Sequence, residues 1–134
     1  MNKLQGEIIN IETSGNISIV TTAINDTIEL KAIVIETPAS ATYLKAGGAI
    51  VMLFKETEVV MGTDVKHAIS LQNKIPGTIK EIEQGALLSK IILESSAGEI
   101  TALISTNAVH QLDLKTGQKA VAMVKLNEIM IQAL

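Results

Sequence analysis

Apolar positions along this chain recur in short β-branched runs separated by turn residues, and no stretch carries the 3.6-residue period of a long helix. Residues 4–13 alternate loosely through Leu4, Ile8, Ile9 and Ile11; Ser14-Gly15-Asn16 breaks the run, and residues 17–24 resume it. Asn25-Asp26 turns the chain into a third strand over 27–35. Thr37 is a plausible cap and Pro38 suits a first helical turn, so one or two helical turns are expected over 38–44. Lys45-Ala46-Gly47-Gly48 stops the helix, an apolar strand follows over 49–55, and a short fifth strand runs over 58–61. After a linker over 62–73 the same order returns. Strands are expected near 75–83, 86–94 and 98–105, a helical turn near 107–113, and strands near 118–125 and 128–133.

The repetition extends to individual residues. Ala32, Leu44, Lys45, Gly47, Lys55 and Glu58 recur 70 positions later as Ala102, Leu114, Lys115, Gly117, Lys125 and Glu128. Leu4-Gln5-Gly6-Glu7-Ile8 recurs as Ile75-Pro76-Gly77-Thr78-Ile79, offset by 71. The period is too long for a solenoid, and each copy is the size of a minimal domain. The expected fold is all-β: two tandem five-stranded OB-like Greek-key barrels, each with a short helical turn between strands 3 and 4. The first barrel is assigned to residues 1–64 and the second to 65–134. A barrel of ~65 residues is marginal alone, so copies packing on copies and chains on chains should supply the missing burial. An oligomer is expected on that ground.

Composition narrows the function. The chain is 47% hydrophobic with one Tyr, one Phe and no Trp, so its cores must be aliphatic. Cysteine is absent, which removes disulfides and thiolate chemistry. No apolar run approaches the ~20 residues that cross a bilayer, and the first residues show no signal-peptide pattern, so a cytoplasmic protein without a membrane partner is expected. The net charge is −3 and every basic residue is lysine. A single-strand binder needs a cationic groove with stacking aromatics, and a duplex reader leans on arginine, so nucleic acid is disfavoured as a partner.

Ser105, Thr106 and Asn107 sit where a strand hands over to a short helix, a junction that either caps its own helix or holds an anion. Lys55 and Lys125 close apolar strands in both copies, either as edge-strand charges or as part of a site. His67 in the linker and His110 on the helical turn have no second ligand at metal spacing, so no metal-ion site is expected. No nucleophile, base and acid converge or repeat, and no enzyme is indicated.

The chain resembles the molybdenum-binding Mop domain, or molbindin, in its tandem form. The module of that family opens on Ser-x-Arg-Asn-x-Leu-x-Gly, runs through Ile-Thr-Asn and Leu-Gly-Leu-Lys-x-Gly, and closes on Lys-Ala-Ser-x-Val-Met. Here the second copy offers Ser70-Leu-Gln-Asn-Lys-Ile-Pro-Gly77, Ile104-Ser-Thr-Asn107, Leu112-Asp-Leu-Lys-Thr-Gly117 and Lys125-Leu-Asn-Glu-Ile-Met130. The first offers Asn2-Lys-Leu-Gln-Gly6, Leu44-Lys-Ala-Gly47 and Lys55-Glu-Thr-Glu-Val-Val-Met61. The resemblance implies intracellular binding, storage or buffering of molybdate or tungstate between modules and subunits, with tandem versions assembling as trimers. It implies no organic cofactor.

Such a ligand is a tetrahedral dianion with four acceptor oxygens, so its site needs converging N–H and O–H donors with limited positive charge. The positions implied are Ser70, Asn73, Ser105, Thr106, Asn107, Ala108, Lys125 and Leu126, with Lys55, Glu56 and Thr57 as first-copy counterparts. The departures are chemical. Gln72 stands where the family has Arg, Ile35 lacks the hydroxyl expected before the helical turn, and Glu56 would repel a dianion it faced. Working sites are therefore expected mainly on second-copy residues. The alternative is an oligomeric interaction or regulatory module whose anion sites have decayed.

Overall fold

The computed structural model describes all 134 residues. Ten strands follow in order: β1 (Asn2–Ser14), β2 (Ile17–Ala23), β3 (Glu29–Val34), β4 (Ala49–Phe54), β5 (Val60–Gly62), β6 (Asn73–Gln84), β7 (Leu88–Ser95), β8 (Gly98–Ser105), β9 (Lys119–Val124) and β10 (Met130–Ala133). One helix, α1 (Thr106–Gln111), lies between β8 and β9, and short 3-10 turns at Glu56–Glu58 and Leu126–Glu128 precede β5 and β10. The strands lie within two or three residues of their expected places. The expected fifth strands at 58–61 and 128–133 begin later because the 3-10 turns take their first residues.

Two antiparallel five-stranded sheets result, ordered β10-β4-β1-β2-β3 and β5-β9-β6-β7-β8. Each sheet therefore takes its outermost strand from the other repeat. β5 pairs with β9, Val60 opposite Met123, and β10 pairs with β4, Met130 opposite Leu53. Four strands of each repeat build one sheet and the fifth is exchanged. The exchange is chemically permitted because the exchanged segments carry the same pattern. Val59 and Ile129, 4% and 3% exposed, bury alike after their 3-10 turns. Twenty-five buried apolar residues of both repeats, from Leu4 to Ile129, accordingly form one continuous aliphatic core instead of two.

The internal repeat governs detail as well. β1 bulges between Ile8 and Asn10, β6 between Ile79 and Glu81. Gly47 and Gly117, both at positive φ, donate from their N–H groups to the carbonyls of Ile8 and Ile79, at 2.8 and 2.7 Å. A side chain on Gly77 would meet the Glu94 carbonyl at 2.4 Å, which explains why β6 and β7 require glycine there.

One expected element is missing. Residues 38–44 form consecutive turns and no helix. The second repeat starts α1 with Ser105, whose Oγ accepts from the Ala108 N–H at 3.0 Å, whereas its counterpart Ile35 has no acceptor. Thr37 and Ser40 instead bond each other: the Thr37 N–H donates to Ser40 Oγ at 2.9 Å and the Ser40 N–H to the Thr37 carbonyl at 2.9 Å, competing with helical pairing. Glu36, at the position of Thr106, accepts from the Tyr43 hydroxyl. Burial first, and this carboxylate second, push the Tyr43 pKa up to about 12.

A buried hydroxyl in β2 gives a stability prediction. Thr22 is fully buried and its Oγ1 has no hydrogen-bond partner. Thr22→Val keeps the shape and removes the orphaned group, so stability should rise by about 1 kcal/mol, or roughly 3 °C in Tm. A lower Tm for the variant in a thermal melt would show that the hydroxyl is satisfied after all.

Candidate functional site

Two corners of the molecule bring the repeats into contact, and both begin with a buried asparagine. Asn73, at the start of β6 and 1% exposed, reaches the edge strand β3 of the other sheet. Its Oδ1 accepts from the Lys31 N–H at 2.7 Å and its Nδ2 donates to the Lys31 carbonyl at 2.8 Å. Asn2 at the start of β1 treats Thr101 of β8 the same way, with both bonds at 2.9 Å. A primary amide has the donor and acceptor of a peptide group, so each asparagine substitutes for a missing neighbouring strand and satisfies an edge that would otherwise be bare.

The 3-10 turns complete the corners. The turn at Glu56–Glu58 packs on β8 and the turn at Leu126–Glu128 on β3. Glu56, Thr57, Lys90, Thr101 and Leu103 line a cleft of about 200 Å³ at the first corner. Along β8, outward-facing positions continue from Thr101 and Leu103 to Ser105, about 7 Å further on. By the internal repeat, the second corner sets Leu126 and Asn127 against Lys31 and Ile33. The two turns also approach each other, bringing the Glu58 and Glu128 carboxyls close enough to interact.

The expected site residues divide between these corners and a third place. Asn73, Lys125 and Leu126 lie together at the second corner, and Lys55, Glu56 and Thr57 at the first. Ser105, Thr106, Asn107 and Ala108 lie on the strand and helix beyond the first corner, so the second-copy residues do not gather in one place. Several are engaged within the chain. The Thr106 hydroxyl donates to the Gly85 carbonyl at 2.8 Å and is paired with Ser89 Oγ at 2.8 Å, while the Thr106 N–H donates to the Leu87 carbonyl at 2.8 Å. The Ala108 N–H is taken by the Ser105 cap. The strand-to-helix junction thus has the geometry of a capped six-residue helix, and Asn73 that of a clamp between sheets. Ser70, Asn107, Thr57, Lys55 and Lys125 are exposed. Lys31, Lys90 and Thr101 escaped the sequence reading because nothing local marks them; only the pairing of edge strands with distant asparagines brings them in.

Electrostatics set the corners apart. The Met1 ammonium lies 2.6 Å from Glu56 Oε1, and that hydrogen bond is the main reason the Glu56 carboxyl is held below its ordinary pKa. Glu56 therefore stays charged at the first corner, whereas Leu126 puts no charge at the second. Between them, the hydrogen bond that a protonated Glu128 donates to the Glu58 carboxylate, followed by burial and the negative charge of Glu58, raises the Glu128 pKa. A carboxyl whose pKa is raised by folding stabilises the fold while protonated, and the contribution is lost as pH rises through the raised value. Glu128→Gln should therefore raise Tm by about 1–2 °C at pH 7, less at high salt because both groups are only half-buried. The gain should fall away as the pH is lowered through the raised value towards the ordinary carboxylate range; a pH-independent difference would mean the two carboxyls do not interact.

Comparison with known proteins follows the same division into repeats. The family model described as the TOBE domain matches residues 69–131. Molybdenum-pterin-binding protein 2 of Clostridium pasteurianum is 33% identical over 67 residues, which is 49% of this chain and 98% of that one. The molybdenum transport protein ModE of Herbaspirillum seropedicae is 31% identical over 132 residues, 97% of this chain; the chain spans about half of that relative's length, 49%. Among solved structures, the cytoplasmic molybdate-binding protein ModG with molybdate bound superposes with a TM-score of 0.90 at 27% identity, covering 99% of this chain and 96% of that one. The chain belongs to the molybdenum-binding Mop family, the molbindins, whose module is the TOBE domain, and it carries that module in tandem.

Proposed function

We propose that this protein binds molybdate as an intact tetrahedral oxyanion, at the corners where the 3-10 turn of one repeat meets the edge strand of the other, and that it stores or buffers the anion in the cytoplasm. The observation that carries this reading is the full-length likeness to ModG, a molybdate-binding protein, at 27% identity. The chemistry agrees: lysines and backbone groups lie around each corner, with the Thr57 and Thr101 hydroxyls at the first and the Asn127 amide at the second, and a dianion at a water-poor interface gains more from them than in solvent. With net charge −3, long-range steering of an anion is weak, so local donors must do the binding. No helix of the structure is long and apolar enough to cross a membrane.

An assembly, a trimer by family resemblance, would enclose the corners further. Ile35 and Leu87, 78% and 82% exposed, together with Ile17 and Leu88, present apolar side chains that a partner copy would cover. Tungstate, with the same shape and charge, should bind as well. Equilibrium dialysis tests the reading. Saturable uptake of molybdate and tungstate at micromolar concentration, with sulfate and phosphate excluded, is expected. A stable oligomer that takes up neither, with Tm unmoved by either anion, would make it an interaction module without anion sites.

A further inference from the structure

The two corners are related by the internal repeat but differ in charge, and the difference designates one residue. Thr101 at the first corner corresponds to Lys31 at the second; Glu56 corresponds to Leu126, Thr57 to Asn127, and Lys90 to the apolar Ile19. The first corner thus holds an ammonium beside a charged carboxylate, with Lys90 also 3.8 Å from Glu83. The second holds the Lys31 ammonium with Leu126 where the first has Glu56; Glu12, at the position of Glu83, lies across from the apolar Ile19.

We infer that Lys31 is an anion-binding residue and that the second corner, formed by Lys31, Asn73, Leu126 and Asn127, is the tighter of the two oxyanion sites. Three observations carry this. Thr101, the counterpart of Lys31, lines the cleft at its own corner, so this position on the edge strand faces the opposing 3-10 turn. The Lys31 backbone is fixed on both its N–H and its carbonyl by the buried Asn73 amide, so the root of the side chain is preorganised. The neighbouring Leu126 supplies apolar surface in place of Glu56, which lowers the local dielectric without adding repulsion. The ligand class is a tetrahedral dianion, and the inference rests on the binding proposed above.

Molybdate dialysis on the intact chain separates the possibilities. Lys31→Gln should weaken the tighter class of sites at least tenfold, Lys31→Arg should restore it to within a few-fold, and Lys66→Gln, in the exposed linker outside both corners, should leave that class unchanged. Leu126→Glu, which writes the first corner's charge into the second, should weaken it as Lys31→Gln does. The melting temperature without anion should be the same for wild type and both Lys31 variants, which separates lost binding from lost folding. Wild-type binding with an identical isotherm for Lys31→Gln overturns the assignment while leaving the function standing. Absence of any wild-type uptake overturns both.

Discussion

Replacing Asn73 by alanine is expected to cost about 3 kcal/mol of folding stability, among the larger effects a single polar substitution can have. The side chain is almost fully buried, and both of its polar atoms bond to the backbone of Lys31. Alanine leaves a backbone N–H and carbonyl of an edge strand without partners in a place that water enters poorly. Aspartate should do worse, because it keeps the acceptor, loses the donor and buries a charge. Urea titration of Asn73→Ala, followed by amide exchange, should show β3 losing protection before β2. A loss below ~0.5 kcal/mol would mean that the amide bonds are replaced by water, and that the sheets are joined by apolar packing alone.

Truncation after Asn127 should damage the first sheet more than the second, although the deleted residues belong to the second repeat. The deletion removes β10 from the edge of β4 and takes Ile129 out of the shared core. Loss of one buried isoleucine and a strand edge amounts to roughly 3–5 kcal/mol. Amide protection should fall along Ala49–Phe54, while Val121–Met123, covered by β5, keeps its own. The opposite distribution, with β9 exposed and β4 protected, would mean that each repeat keeps its own fifth strand. The exchange also explains why a module of ~65 residues is stable in this form: neither repeat completes a sheet without the other.

Much of this architecture is legible in the residues. The alternation and turn residues place the strands, and the recurrence of Gly47 and Lys55 as Gly117 and Lys125 reveals the duplication. The strand exchange is not legible, because Val60-Met61 and Met130-Ile131 have the same apolar character and would complete either sheet. The absent first-repeat helix was missed for a local reason. Thr37 reads as a cap, but the decisive position is Ile35, where Ser105 has an oxygen and isoleucine has none. The site residues were legible only as separate segments. Asn2 and Thr101 are 99 positions apart, so no spacing rule predicts that one clamps the other. The hydroxyls of the Ser105-Thr106 segment looked available because sequence does not show that Gly85 and Ser89 lie beside Thr106.

The corner site itself is tested most directly by diffraction at the molybdenum absorption edge from crystals grown with molybdate. The account predicts anomalous peaks where the 3-10 turns face the edge strands, the stronger one beside Lys31 and the backbone of Leu126 and Asn127. Peaks confined to the start of α1, or no peak at either corner in a protein that binds molybdate in solution, would contradict it.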